Sequence, residues 1–264
     1  MQAAKPIIPW MGGKRRLAKY LIPLIPQHKC YVEVFCGGAA LFFLRPFTSR
    51  VEILNDINGE LINLYRVVQH HPAEFVRQFQ WTLSSRQVFA QLQYTNPGTL
   101  TDIQRAARFY YLQRHAFGGK IENQCFGSST TSTDAVWSKI EGALAAAHRR
   151  LERVTIENLP WQDCVRKYDA EHVFFYMDPP YWQSEGYDVP FDFEQYEEMA
   201  ATMRTCRGKI MLSINDHPDT RRVFADLATH ELDIKYALAK VGPPAESREL
   251  IITNYKQQLS GGLF

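Results

Sequence analysis

The sequence has few of the features that would place it in several large protein classes. Its 264 residues hold five cysteines, Cys30, Cys36, Cys125, Cys164 and Cys206, an odd number at wide spacing. No Cys-x-x-Cys pair occurs, so neither a disulfide framework nor a zinc site is expected, and a reducing cytoplasm fits. No apolar stretch is long enough to span a bilayer. The start, Met1-Gln2-Ala3-Ala4-Lys5-Pro6, has no apolar core of the kind a secretory leader needs. Repeats and low-complexity linkers are missing. So is the cluster of paired acids and a lysine that a metal-dependent nuclease would need, and no metal site is expected. An excess of one charge is missing too, since the formal net charge is only +2.

What is present is apolar surface, at 45% of residues, enough to bury the core of one large domain with an insertion. The charge is also unevenly spread. Residues 65–153 carry eleven Lys/Arg against six Asp/Glu, a balance of +5, and the remainder carries nineteen against twenty-two, a balance of −3. The middle segment is therefore the part to face a polyanion, unless it is an ordinary solvated helical surface.

Periodicity divides the chain in the same place. Tyr31–Phe35 reads as a strand, Cys36-Gly37-Gly38 as a break, and Ala39–Leu44 as the start of a buried helix. Val51–Leu54 is a second strand closed by Asn55-Asp56, and Asn58–Val68 has helical spacing. Strand, glycine turn, helix, strand, acid is the opening of a doubly wound α/β sheet. Residues 70–150 read as mostly helical, with helices over Ile103–Arg114 and Ala135–Leu151 around a polar loop, Phe117–Thr133. Strands then return at Val154–Ile156, 173–177, Lys209–Ile214, Leu232–Leu238 and Leu250–Tyr255, with helices over Phe193–Arg204 and Arg221–Leu227. The expectation is an α/β domain from 1–64 and 154–264, with a helical domain, 65–153, inserted into it.

Four short motifs carry chemistry. In Pro9-Trp10-Met11-Gly12-Gly13-Lys14 the glycines allow close backbone approach to a ligand and Lys14 opens a basic helix start, or the segment is a capping turn. In Glu33-Val34-Phe35-Cys36-Gly37 a strand-end carboxylate can accept from a ligand ammonium group, and the turn aims backbone N–H groups at it. Asp56, beside Ile57, stands where an acid accepts ribose hydroxyls, or it caps the following helix. Asp178-Pro179-Pro180-Tyr181 follows the apolar run 173–177 and brings a carboxylate, a prolyl-fixed carbonyl and a ring into one pocket. Those groups suit the planar amino group of a nucleobase.

Taken together, these motifs resemble the DNA adenine-N6 methyltransferases of the Dam class (D12 class, alpha group), over nearly the whole chain and in the family's order. Trp10–Lys14 is similar to the family's N-terminal motif, Glu33–Gly37 to its glycine motif and Asn55–Asn58 to its ribose-binding strand end. Phe109–Arg114 and Cys125-Phe126-Gly127 resemble parts of its recognition domain; Met211–Asp216 and Glu249-Leu250 resemble later strands. Three places depart from the pattern. Ala39 replaces a second glycine but stays small. Pro160-Trp161 stands where an Asp-Phe pair flanks the cofactor's adenine, leaving Trp161 to stack. Gly118–Glu122 diverges where an arginine would read a guanine, so GATC specificity does not transfer directly.

The resemblance implies a Rossmann-like methyltransferase sheet with S-adenosylmethionine as cofactor. The donor would lie across Trp10, Gly12, Lys14, Glu33, Phe35, Cys36, Gly37, Asp56, Ile57, Trp161 and Asp178. Asp178 and the Pro179 carbonyl would accept the two N6 hydrogens of a flipped adenine, Pro180 would fix the turn and Tyr181 would stack on the base. Double-stranded DNA is the implied partner, with Arg105, Arg108, Arg114, Lys120, Arg149 and Arg150 as phosphate or base contacts. Phe117 is either a wedge into the base stack or a core aromatic. A monomer without membrane or obligate protein partner is expected. The alternatives are amino-methylation of RNA or of cytosine N4, and a DNA-binding relative without catalysis.

Overall fold

The central strands form where apolar residues run without alternation, as burial on both faces of a parallel sheet demands. In the computed structural model, which describes residues 4–121, 124–127, 140–183, 191–235 and 246–256, the strands are β1 (Cys30–Glu33), β2 (Val51–Asn55), β3 (Val154–Glu157), β4 (Val173–Met177), β5 (Lys209–Asn215), β6 (Ala228–Lys235) and β7 (Glu246–Thr253). They form one seven-stranded sheet in the order β3-β2-β1-β4-β5-β7-β6. β1 to β5 pair in parallel, and β7 runs antiparallel to both β5 and β6. The strand order reverses between β1 and β4, which is where open α/β sheets bind ligands, outside the carboxyl ends of the strands.

Successive residues of each strand serve opposite faces. Tyr31, Phe174, Tyr176, Met211 and Ile251 join one buried cluster, while Val32, Phe175, Met177, Leu212 and Leu250 join the other. On the first face lie α1 (Ala18–Leu21), α2 (Ala40–Leu44) and α3 (Gly59–His70). The second face is covered by helices that follow the insertion and are named below.

The inserted segment contributes α4 (Pro72–Arg77), α5 (Arg86–Tyr94), α6 (Asp102–His115) and α7 (Ile140–Leu151). Ser85 caps α5, and Thr101 with Gln104 forms a reciprocal capping box on α6. The expected domain boundary at 64/65 falls inside α3, which runs unbroken because its apolar stripe (Leu61, Ile62, Leu64, Tyr65, Val67, Val68) continues across it. Phe75, Phe79, Phe89, Tyr110 and Leu144 of the insertion belong to the same buried cluster as the first face of the sheet. The insertion therefore extends the sheet's core and does not enclose one of its own.

After β3 come α8 (Trp161–Tyr168), α9 (Phe193–Thr205) and α10 (Pro218–Val223), and Trp161, Cys164, Tyr196 and Met199 pack on the second face. The spacing gave no sign of α8. The last helix is shifted from the expected Arg221–Leu227: it starts at Pro218 with a His217–Thr220 capping box and ends before Phe224, whose ring is buried. Residues 135–139 of the expected helix and 236–238 of the expected strand lie outside the described residues.

Arg150 is a correction to the sequence reading. It is not a surface DNA contact, because Nη1 pairs with Glu52 Oε2 and Nη2 donates to Glu52 Oε1 at 2.9 Å, with the guanidinium 3.6 Å above the Phe42 ring. Arg45 pairs with the same carboxylate and stacks 3.6 Å over Tyr31. This triad fastens α7 to β2. Without Arg150, Glu52 keeps Arg45 as its partner, so the loss is that of the charged hydrogen bonds, about 1.5–3 kcal/mol. Chemical denaturation of Arg150→Ala is expected to show a loss near that size, against no more than ~0.5 kcal/mol for exposed Arg149→Ala. Equal small losses in the two variants would remove the structural role.

Candidate active site

The site begins in the turn after β1. Gly37 has φ +47°, and a Cβ there would stand 2.4 Å from the Trp10 indole nitrogen. Only glycine allows Trp10 to lie on this turn. Ala39 is also left-handed, at φ 49°, a conformation that costs a side-chain-bearing residue ~1–2 kcal/mol. This position is where the sequence departs from a glycine. Asp56 closes the turn from β2: one oxygen accepts from the Gly37 N–H at 2.8 Å and the other from the Asn58 N–H at 2.9 Å. It is not the helix cap, since Asn58 caps α3 by accepting from Leu61 N–H.

A cavity of ≈ 300 Å³ opens above the carboxyl ends of β1, β2 and β4. Trp10, Gly12, Lys14, Glu33, Phe35, Cys36, Gly37, Asp56, Ile57, Trp161 and Asp178 all line it. The wall also includes Leu159, Gln162, Phe191 and Gln195, which the sequence reading missed. Trp161 is buried, and its indole N–H donates to Gln195 Oε1 at 2.8 Å. Where the family pattern has a carboxylate, this chain thus puts the amides of Gln162 and Gln195.

At the end of β4 the Asp178–Tyr181 string meets Lys14, Ser213 and Glu249, brought in from distant parts of the chain. Lys14 was expected at a helix start, but α1 begins only at Ala18 and the Lys14 side chain turns inward. Its Nζ lies 2.6 Å from Asp178 Oδ1, 3.9 Å from Glu249 Oε1 and 4.6 Å above the Tyr181 ring, and it donates to the Gly12 carbonyl at 3.1 Å. Ser213 of β5 donates to Asp178 Oδ1 at 3.0 Å and hydrogen-bonds the Tyr176 hydroxyl at 2.8 Å. The Tyr181 phenol donates to Glu249 Oε1. Asn215 grips the backbone of Trp182 at both its N–H and its carbonyl, each at 3.0 Å. The Tyr196 hydroxyl donates to the Pro180 carbonyl at 2.6 Å. Among the described residues no hydrogen bond reaches the Pro179 carbonyl. Glu249 was legible as an acid inside the apolar run of β7, a pattern that marks a partnered buried charge.

Burial pushes the Asp178 carboxyl above its ordinary value, and Lys14 and Ser213 draw it back. Burial likewise raises Asp56, against the N–H bonds from Asn58 and Gly37. Glu33 is pushed up to about 8 by burial, with the Tyr31 hydroxyl and the Phe42 N–H opposing. The donor set fits S-adenosylmethionine chemically. Glu33 and Asp56 offer carboxyl groups for an ammonium group, whose charge favours the ionised form of Glu33, and for hydroxyls, and Trp10, Leu159, Trp161 and Phe191 offer apolar walls for a purine.

The recognition side is less uniform. Phe117 is 71% exposed, so the core reading does not hold. It sits at a turn whose base is closed by Phe117 N–H to Cys125 O at 2.9 Å and Gly127 N–H to His115 O at 2.8 Å. Arg114, Lys120 and Arg149 are exposed. Arg105 is committed to Glu60, and Arg108 to the Leu92 carbonyl at 2.7 Å. Those two helix-side arginines, like Arg150, are thereby withdrawn from the set of free contacts. Glu122 lies outside the described residues. Gln113, fully buried, donates to both the Pro9 carbonyl at 2.9 Å and the Gly119 carbonyl at 2.7 Å. The exposed turn and the N-terminal motif are therefore one rigid unit.

A family model for D12 class N6 adenine-specific DNA methyltransferases matches residues 10–238. The chain is 25% identical over 262 residues to type II methyltransferase M.CviBI of Paramecium bursaria Chlorella virus NC1A, covering 95% of this chain and 100% of the relative. It is 24% identical over 285 residues to type II methyltransferase M1.LlaDCHI of Lactococcus lactis subsp. cremoris, with 95% of each covered. It is 31% identical over 239 residues to the DNA N-6-adenine-methyltransferase of Escherichia phage P1, covering 83% of this chain and 31% of that longer protein.

Glu33 gives the site a pH signature. In the folded chain it keeps its proton to about 8, while the unfolded carboxyl releases it near the ordinary 4.5. Between those values the folded state binds more protons, so stability falls as pH rises. Thermal unfolding without donor is expected to show Tm dropping from pH 5 to pH 8, with a shallower drop in Glu33→Gln. Identical slopes in the two proteins would refute this.

Proposed function

The chain belongs to the D12 class of N6 adenine-specific DNA methyltransferases, with S-adenosylmethionine as methyl donor, and we propose that Asp178, Pro179, Pro180 and Tyr181 form its catalytic corner. The observation that carries this is the placement of Asp178. It is a largely buried carboxylate with Oδ1 held by Lys14 and Ser213, beside a prolyl carbonyl that accepts no hydrogen bond among the described residues.

The donor supplies an electrophilic methyl on a sulfonium. The residues do the rest. Adenine N6 is a poor nucleophile because its lone pair is delocalised into the ring. Asp178 accepts one N6–H and the Pro179 carbonyl the other, which draws the nitrogen toward tetrahedral geometry and frees the lone pair. Asp178, its proton affinity raised by burial, takes up the proton that N6 sheds. Tyr181 stacks on the base. No residue forms a covalent intermediate. Positioning of this kind supplies up to ~7–11 kcal/mol in model reactions. A duplex hides N6, so the base is flipped out at a cost of a few kcal/mol.

The exposed Phe117, on a turn that Gln113 ties to the cofactor motif, is the wedge that fills the vacated stack. Arg114, Lys120 and Arg149 supply phosphate or base contacts. Five free cysteines support a reducing, cytoplasmic setting, and among the described residues no helix is long and apolar enough to cross a membrane.

Labelled S-adenosylmethionine and unmethylated genomic DNA test the catalytic assignment, with single-molecule sequencing to read the modified base and its site. Asp178→Ala is expected to abolish transfer while product-cofactor binding stays measurable by calorimetry, and retention of most activity would move catalysis elsewhere. Phe117→Ala is expected to weaken DNA binding about tenfold or more, of order 1.4 kcal/mol, and to leave cofactor binding alone. Parallel losses in both would make Phe117 structural.

A further inference from the structure

The catalytic string accounts neither for the burial of Glu249 nor for the inward turn of Lys14. β7 carries Glu249 opposite Asn215 on β5, and its side chain is fully buried. A buried acid is retained only where its neighbours hold it. These include the Tyr181 phenol, bonded to Oε1, and the Lys14 ammonium, 3.9 Å from the same atom and 2.6 Å from Asp178 Oδ1. One ammonium is shared by two carboxylates, close to one and near the other.

We propose that Glu249 is a positioning residue for methyl transfer, fixing the Tyr181 ring through its phenol and drawing Lys14 away from full pairing with Asp178. The proposal rests on the assignment of Asp178 as the acceptor of the target amino group. Lys14 and Ser213 both occupy Oδ1, so Oδ2 is the oxygen that meets the base. How strongly that oxygen accepts depends on how much of the Asp178 charge Lys14 neutralises. With Glu249 ionised, Lys14 divides its charge between two acids and Asp178 stays a strong acceptor. With the Glu249 charge removed, Lys14 belongs to Asp178 alone and the acceptor weakens. The phenol bond acts in the same corner: it fixes the ring plane on which the flipped base must stack.

Glu249→Gln separates these effects, because it keeps an oxygen for the Tyr181 phenol and loses the charge. With labelled S-adenosylmethionine and unmethylated genomic DNA, kcat is expected to fall roughly tenfold to a hundredfold, the range for small misplacements at a reacting centre. KM for DNA and the Kd for S-adenosylhomocysteine should stay within about threefold, less than ~0.7 kcal/mol. The double variant Lys14→Met/Glu249→Gln should be no slower than Lys14→Met alone, because the Glu249 charge acts through Lys14. A kcat for Glu249→Gln within about twofold of the parent, or a double variant slower by the product of the two single losses, would overturn the proposal. If Glu249→Gln does not fold, the double variant restores the net charge of the cluster, and its comparison with Lys14→Met decides alone. Loss of transfer in Asp178→Ala with full activity in Glu249→Gln would sink this inference only. Activity in Asp178→Ala would sink the reading beneath it.

Discussion

A carboxylate, Asp178, lies buried beside a mostly apolar cavity, and much of this molecule is arranged around holding it there. An isolated buried Asp would simply hold its proton. Asp178 is held by three strands and the N-terminal segment at once. β4 ends on it, β5 supplies Ser213, β7 supplies Glu249 beside it, and Lys14 arrives from the start of the chain. The parallel arrangement puts the ends of β1, β2 and β4 on one edge of the sheet, and the reversal between β1 and β4 opens the gap where a ligand fits. The antiparallel β7 adds something a purely parallel sheet would lack, a buried acid entering the same corner from a strand of opposite direction.

The N-terminal segment connects the two halves of the chemistry. Trp10 lies against Gly37 on the cofactor side, Lys14 reaches Asp178 on the catalytic side, and the Pro9 carbonyl is held by Gln113 of α6. Gln113 also holds the Gly119 carbonyl, next to the turn that exposes Phe117. Gly119 is left-handed, and a Cβ there would stand 3.2 Å from the Trp10 nitrogen, so the two loops pack backbone to backbone. The shared cluster of core residues between the insertion and the sheet makes the same point on a larger scale. The inserted segment is therefore continuous, through packed contacts, with the wall of the cavity. No hinge is needed between them.

The sequence made some of this legible and hid the rest for a physical reason. Strands β1, β2, β4 and β5 were visible because burial on both faces leaves an unbroken apolar run, and the motifs at their ends were visible because turn chemistry is local. The partner of a charged side chain is not local. Lys14 and Asp178 are 164 positions apart, counting from 14 to 178, and nothing near either one announces the other. Arg150 looked like part of a basic surface because Glu52, its partner, lies 98 residues away in a strand. Asp56 read either as a ribose-binding acid or as a helix cap, and its oxygens close a turn that only the fold brings near. Trp161 read as a stacking ring from resemblance, while the Gln195 that fixes its indole came from a helix on the far side of β4.

Arg105, Arg108 and Arg150 change the meaning of the charge excess in the middle of the chain. The balance of +5 over residues 65–153 suggested a broad electrostatic surface. Three of the eleven cations behind that figure are spent inside the protein, on Glu60, on the end of α5 and on Glu52. Each phosphate contact contributes about 0.9 to the salt slope of binding, so the three engaged cations would take up to about 2.7 from the slope that the full count would give. The exposed aromatic at Phe117 and the largely apolar cavity are surfaces of a kind that salt does not screen. In the proposed function both would reward the extruded state of the nucleotide more than the stacked one, and binding energy realised near the reacting atom can lower the barrier as well as the dissociation constant.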